Sequence, residues 1–420
     1  MFWGLLFLFI IILILVGQPL FVIMGSIAAL SYHFVSEEGV SIVIGDIFYA
    51  ANKEILLAIP LFVLAGQIMT KGSIAHRLIN IAKAITAPIP SGLAISSVLS
   101  CAVFAAISGS SPVTLIAVGS ILYPALIKAG YDKKLAMGML SVGGTLGIIV
   151  PPSIPMIIFA IMAQVSVVDL FKAGIGPSII LIFLLCIYAF ARAPKGSRGK
   201  WDTQEFLKSL KEGILSMFMP FVILGGIYSG FFTATESAAI AVLYALIVEF
   251  FIHKEMKLKD IPILLEETAG LLGTLFLILI LAMSFNKFMT YEEIPQNLVV
   301  IMTGLISSKI TFILGVNVLL LIVGCIMDIM SAILVLAPIL TPMAVYYGMD
   351  PVHFGIMMIV NLEIGYITPP IGINLFVASS IFKENLSTVI KSVAPLLFVL
   401  IFGLLLISFI PEISLFTVTK

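Results

Sequence analysis

Four short stretches combine hydroxyls, a carboxylate and helix-breaking prolines inside otherwise apolar runs. They are AISGSSPVT around Ser110, GIIVPPSIP from Gly147 to Pro155, CIMDIMSAIL around Asp328, and GYITPPIGI from Gly365 to Ile373. A proline pair removes two backbone donors and clashes with the preceding helical turn. Backbone opened inside hydrocarbon is tolerated only where protein or a water-filled cavity satisfies it. An uncompensated carboxylate there is costly, so Asp328 must face a cation, a cavity or a strong set of donors. Freed carbonyls, hydroxyls and this carboxylate are hard oxygen ligands that suit Na⁺. Half-helix C-termini favour cations and half-helix N-termini favour anions, so opposed breaks can hold Na⁺ and an anionic substrate together. Small residues at helix crossings also serve close packing, and a proline pair can be a plain kink.

What raises the first reading above the second is a repeat. Shifting the sequence by 218 places brings Pro124 onto Pro342, Gly130 onto Gly348, Asp132 onto Asp350 and Gly147 onto Gly365. The same shift brings Pro151 and Pro152 onto Pro369 and Pro370, Pro177 onto Pro395, and Ser110 onto Asp328. Two halves, 1–191 and 214–420, are therefore expected, joined by a polar linker over 192–213 that includes a helix lying in the membrane interface. Residues 73–84 carry charges at helical spacing and read as a second interfacial helix.

The elements that must position these stretches are membrane helices. Of 420 residues 61% are hydrophobic and 10% charged, and the mean hydropathy is +1.23, so a soluble domain could not cover its own core. A net charge of zero argues against nucleic acid. The three cysteines and four histidines are scattered, without disulfide or zinc spacing. No HExxH or GxSxG motif and no paired intramembrane aspartates point to an enzyme.

Spans are expected near 1–16, 19–34, 55–70, 135–165 (broken) and 175–191, and near 214–231, 235–252, 269–286, 353–380 (broken) and 393–411. Between the third and fourth span of each half lies a pair of shorter arms, 93–127 and 311–346, each expected to enter and leave on one face. That topology divides the 22 Lys and Arg residues 17 inside to 5 outside, with both termini outside. Five spans per half is an odd number, so the halves run in opposite orientations, an all-α inverted repeat of the kind secondary transporters use. Gln67, Glu236 and Glu363 are further polar residues within the expected spans, and Glu236 reads as a group that stabilises a helix junction.

The ordered set of GQP near residue 18, LFVLAGQIM, SGSSPVT, GTLGIIVPPSIP, TATESAA, MDIMSA and IGYITPPIGINLFV resembles the large membrane subunit of tripartite ATP-independent periplasmic (TRAP) transporters over essentially the whole chain. The resemblance implies an elevator-type carrier in the bacterial inner membrane. It implies import of an organic acid, a C4-dicarboxylate, sialic acid or a similar carboxylate, with Na⁺ as coupling ion and no other cofactor. A periplasmic substrate-binding protein and a separate small four-helix membrane subunit are the implied partners. Carried over by motif, the Na⁺ sites would involve Ser108, Gly109, Ser110, Ser111, Gly147, Val150 and Pro151, and Asp328, Thr368, Pro369 and Gly372. The acid would meet Ser111, Pro152, Ser153, Met330, Ser331 and Asn374. A stand-alone dicarboxylate carrier of the same superfamily is the nearest alternative, separable by uptake through this chain alone. A channel is the other, separable by unsaturable flux.

Overall fold

The computed structural model describes residues 2–35, 39–192, 194, 199–306 and 308–418, and among them every regular element is helical. The first half contains α1 (Phe2–Leu15), α2 (Leu20–Phe34), α3 (Ser41–Ala51), α4 (Ala58–Lys71) and α5 (Ile74–Thr86). It continues with α6 (Gly92–Ser108), α7 (Ser111–Lys128), α8 (Lys133–Ile149), α9 (Ile154–Ala163) and α10 (Val167–Ala191). The second half contains α11 (Thr203–Tyr228), α12 (Ala234–Ile247), α13 (Asp260–Tyr291), α14 (Ile294–Leu305) and α15 (Lys309–Ile326). Then follow α16 (Ile329–Tyr346), α17 (Pro351–Gly365), α18 (Ile373–Phe382), α19 (Leu386–Phe409) and α20 (Glu412–Leu415).

From α5 onward the helix limits recur at the 218-residue spacing to within two residues, so that α5 to α10 correspond to α14 to α19. The residues matched in the sequence explain why. Gly130 and Gly348 each take a left-handed conformation, φ +79° and +71°, that ends one helix without a Cβ penalty. Asp132 and Asp350 then open the next: Asp132 accepts the N–H groups of Lys134 and Leu135, and Asp350 those of Val352 and His353.

Packing exchanges partners between the halves. α7 lies against α18 as α16 lies against α9, α8 against α19 as α17 against α10, and α2 against α13 as α12 against α4. This reciprocity is the pattern that two repeats related by a two-fold axis make. At the centre α8 packs on α17, and both are buried along almost their full length.

Among the described residues nine helices are long and apolar enough to cross a bilayer, or ten when α8 and α9, bent by 41° at their break, count as one span. Three of the nine, α7, α15 and α16, belong to the paired arms, and in the first pair α6 and α7 pack side by side. Two expectations shift. α1 and α2 fall where spans were expected but have only 14 and 15 residues, short of the roughly 20 that cross a bilayer without thinning it. Residues 203–213 do not form a separate interfacial helix; they are the first turns of the 26-residue α11. Gly213 lies inside that helix, where its bare backbone lets Ile81 of α5 approach: a Cβ would stand 2.6 Å from Ile81 Cδ1. Residues 193 and 195–198 of the linker lie outside the described residues.

Candidate functional site at the hairpin tips

The first tip is built by hydroxyls. α6 ends at Ser108, Gly109 turns the chain at φ +57°, and Ser110 is extended before α7 starts with Ser111 and Pro112. Ser108 Oγ lies 2.8 Å from Thr114 Oγ1, and Thr114 Oγ1 lies 2.9 Å from the Ser110 carbonyl oxygen. Three oxygens of one turn are thereby drawn together. The first break lies directly against this tip. A Cβ on Gly109 would meet the Pro152 carbonyl at 3.4 Å, and one on Gly147 would stand 2.6 Å from the Ser110 carbonyl oxygen. Close approach is what Gly147 provides, whereas Gly109 supplies the left-handed turn, its Cβ position lying at ordinary contact distance. Pro151, Pro152 and Ser153 are buried, and the last carbonyl of α8, at Ile149, accepts a hydrogen bond from Ser178 Oγ at 3.1 Å.

The second tip is built by a carboxylate. Asp328 caps α16: its Oδ1 accepts the N–H groups of Met330 at 2.9 Å and Ser331 at 3.2 Å, and its Oδ2 accepts the Ser331 hydroxyl. Of the three settings open to Asp328, a strong donor set is the one it has. Its repeat counterpart Ser110 makes no side-chain cap. Here too the break meets the tip: the Gly372 N–H donates to the Cys325 carbonyl at 3.1 Å, and a Cβ on Gly365 would come within 2.6 Å of Gly324 backbone. Thr368 Oγ1 donates to the Ile364 carbonyl at 2.6 Å. The Pro-Pro bond is cis in both breaks.

The two units meet. Asn374, the second residue of α18, donates through Nδ2 to Ser111 Oγ on the other hairpin. Ser108, Ser110, Met330 and Ile154 share a cavity of about 110 Å³ with Gly66 and Gln67 of α4 and with leucines of α13. That volume holds an ion and a few waters, and is smaller than the several hundred Å³ of an ordinary small-molecule pocket.

Not every expected residue converges. Pro369, Pro370 and Ile371 are exposed, whereas their counterparts in the first break are buried, so the two breaks are unlike in cover. Val150 turns its side chain toward an apolar groove beside α5, α6 and α11. Glu236 is committed to a capping box at the start of α12, in which its Oε2 accepts the Thr233 N–H at 2.8 Å.

Two groups escaped the sequence reading. Thr114 completes the first tip; its position one turn after Ser110 was a usable signal. Glu249, fully buried in the π-helical turn Val248–Ile252 that follows α12, accepts the N–H groups of Ser73 and Ile74, both at 2.9 Å, and so caps α5 from a distant segment. His253 Nδ1 sits 3.1 Å from Ser73 Oγ beside it. A carboxylate in the run LIVEFF was visible, but its partner 175 residues away was not.

Residues 7–413 match the family described as "Tripartite ATP-independent periplasmic transporter, DctM component". The C4-dicarboxylate TRAP transporter large permease protein DctM of Pseudomonas aeruginosa is 41% identical over 395 residues, spanning 93% of this chain and 92% of that protein. The isethionate TRAP transporter permease protein DctMQ of Oleidesulfovibrio alaskensis is 35% identical, over 96% of this chain and 64% of that protein. Among solved structures, the Alcanivorax borkumensis YdaH transporter matches with a TM-score of 0.62 at 15% identity, covering 89% of each chain, a likeness of fold. With paired helix breaks at two hairpin tips and a family match along nearly its whole length, this chain belongs to the DctM family, the large permease components of TRAP transporters.

Proposed function

We propose that this permease imports an organic anion by Na⁺ symport, together with a periplasmic binding protein and a small membrane subunit. The observation that carries the reading is that both hairpin tips reach one small cavity, through Ser108 and Ser110 of the first and Met330 of the second, with the oxygens of the first tip drawn together and the first break lying against it. At the first tip Ser108 Oγ, Thr114 Oγ1 and the Ser110 carbonyl would offer Na⁺ its hard ligands; at the second, Asp328 and the backbone from Thr368 to Gly372 would do so. Positive half-helix ends at Ser111 and Asn374, and at Pro152 and Ser153, would meet the anion, with Met330 and Ser331 beside it but their N–H groups held by Asp328. The relatives named for C4-dicarboxylate and isethionate, a carboxylate and a sulfonate, support an organic anion.

The two-fold axis would lie in the membrane plane. The uneven division of Lys and Arg supports halves of opposite orientation, both termini in the periplasm and an inner-membrane location. Transport would then follow an elevator movement of the hairpins and broken helices against α2, α4, α12 and α13.

Reconstitution with its small subunit and a loaded binding protein tests the reading. Accumulation of the anion should follow an imposed Na⁺ gradient, and accumulation indifferent to that gradient rejects the coupling. Uptake by this chain alone would reject the need for a binding protein.

A further inference from the structure

Glu363 lies on α17, five residues before Thr368, and is 1% exposed. Neither carboxylate oxygen meets a hydrogen-bond partner in ordinary geometry among the described residues. The polar side chain that reaches it is Thr145 of α8. Thr145 is also its counterpart in the repeat, 218 places earlier. Counterparts that touch lie on the two-fold axis. A carboxylate at both positions would set two like charges against each other, which accounts for an acid in one half and a hydroxyl in the other.

The Thr145 hydroxyl already donates to the Val142 carbonyl at 2.6 Å, so it offers Glu363 a lone pair rather than a proton. Charged residues of the helices packed on α17 stay near their ends: Lys133 and Lys134 open α8, Asp169 and Lys172 lie in the first two turns of α10, Lys309 opens α15, Lys391 lies near the start of α19, and Glu412 opens α20. α9 has none, Cys325 lies in the last turn of α15, and Asp328 before α16 is occupied with its own cap. The titratable neighbours in the same stretch are Tyr366, just past the end of α17, and His353 at its far end. A buried carboxylate without a counter-charge is too costly to stand alone.

We propose that Glu363 is a cation-binding group on the axis between the halves, separate from the hairpin tips, and that it holds one monovalent cation, a proton or Na⁺. Thr145 supplies a neutral oxygen to the same cation.

The test is thermal unfolding of the purified full-length chain in micelles, which needs no substrate and does not depend on the transport reading. Wild type and Glu363→Gln are compared in NaCl against KCl at equal ionic strength, between about pH 5 and pH 9. If the cation is Na⁺, the Na⁺-specific rise in Tm shrinks in Glu363→Gln. If it is a proton, wild-type Tm falls as pH rises, because the native state keeps a proton that the unfolded chain releases, and Glu363→Gln removes that fall. Na⁺ responses and pH profiles that superimpose for the two proteins overturn the proposal. Should Glu363→Gln fail to fold, Thr145→Val keeps the carboxylate and removes its neutral ligand. A weakened Na⁺ or pH response in that variant supports the site, and an unaltered one overturns it.

Discussion

Gly147→Ala puts the contact between the first break and the first tip under direct test. The added Cβ would stand 2.6 Å from the Ser110 carbonyl oxygen and 2.8 Å from Thr114 Oγ1, where ordinary contact begins at 3.4 Å. The nearest obstacle is backbone, which cannot rotate away, so tip and α8 must separate by the difference, 0.8 Å. Overpacking of this kind costs about 1–3 kcal/mol. The consequence for ion binding is larger, because ligand sets lose function when displaced by ~0.5 Å. Na⁺-driven uptake should fall on the order of a hundredfold. Gly315→Ala on α15 is the matched control: nothing lies within 4 Å of its Cβ, and it should be neutral or stabilising by ~0.5–1 kcal/mol through helix propensity. Thermal unfolding in micelles and Na⁺-driven uptake in vesicles read both quantities. If Gly147→Ala unfolds and transports like Gly315→Ala, the close approach does not matter and the site is misplaced.

Three further outcomes follow from the same contacts. Asp328→Ala should cost roughly 0.5–2 kcal/mol by loss of the α16 cap, while Ser110→Ala, which removes no cap, should cost less; equal losses in thermal unfolding would contradict the difference between the tips. Glu249→Ala leaves two N–H groups of α5 without their acceptor and should cost roughly 1–3 kcal/mol, measurable as faster hydrogen exchange over residues 73–76. Burial, with Arg77 beside it, holds His253 below the ordinary histidine range. The unfolded chain therefore binds this proton more readily, so stability at the α5 junction is full above about pH 6.5 and declines as pH falls through that value. His253→Gln should remove that decline.

Much of the fold was legible because the matched residues are those that start and stop helices. Gly130 and Gly348, Asp132 and Asp350, and the two proline pairs act on their own backbone, so their effect is local and survives without knowledge of the fold. Residues that act across the structure were not legible in that way. Asn374 reads as one step beyond a break, and nothing near it in the sequence announces Ser111. Glu249 reads as an isolated acid, and Ser73 lies in the other half. The continuous α11 was missed for a related reason: charges over 203–213 suggested an interface, but no residue there breaks a helix, and Gly213 lies inside it with α5 packed onto it. The unequal cover of the two breaks was equally hidden, because both are spelled with the same proline pair.

The exchange of partners between the halves also bears on how the chain is made. α7 finds its neighbour in α18, and α9 finds its neighbour in α16, so neither surface is satisfied while only the first half has left the ribosome. Insertion of helices into the bilayer can proceed in order, and α6, α7 and α8 can pack on one another at once, but the faces of α7 and α9 turned toward the second half stay uncovered until residue 382, the end of α18, has been synthesised. Until then the first half holds its own contacts but lacks those two partners. Truncation before α16 would then leave α7 and α9 in the bilayer without the helices that cover them.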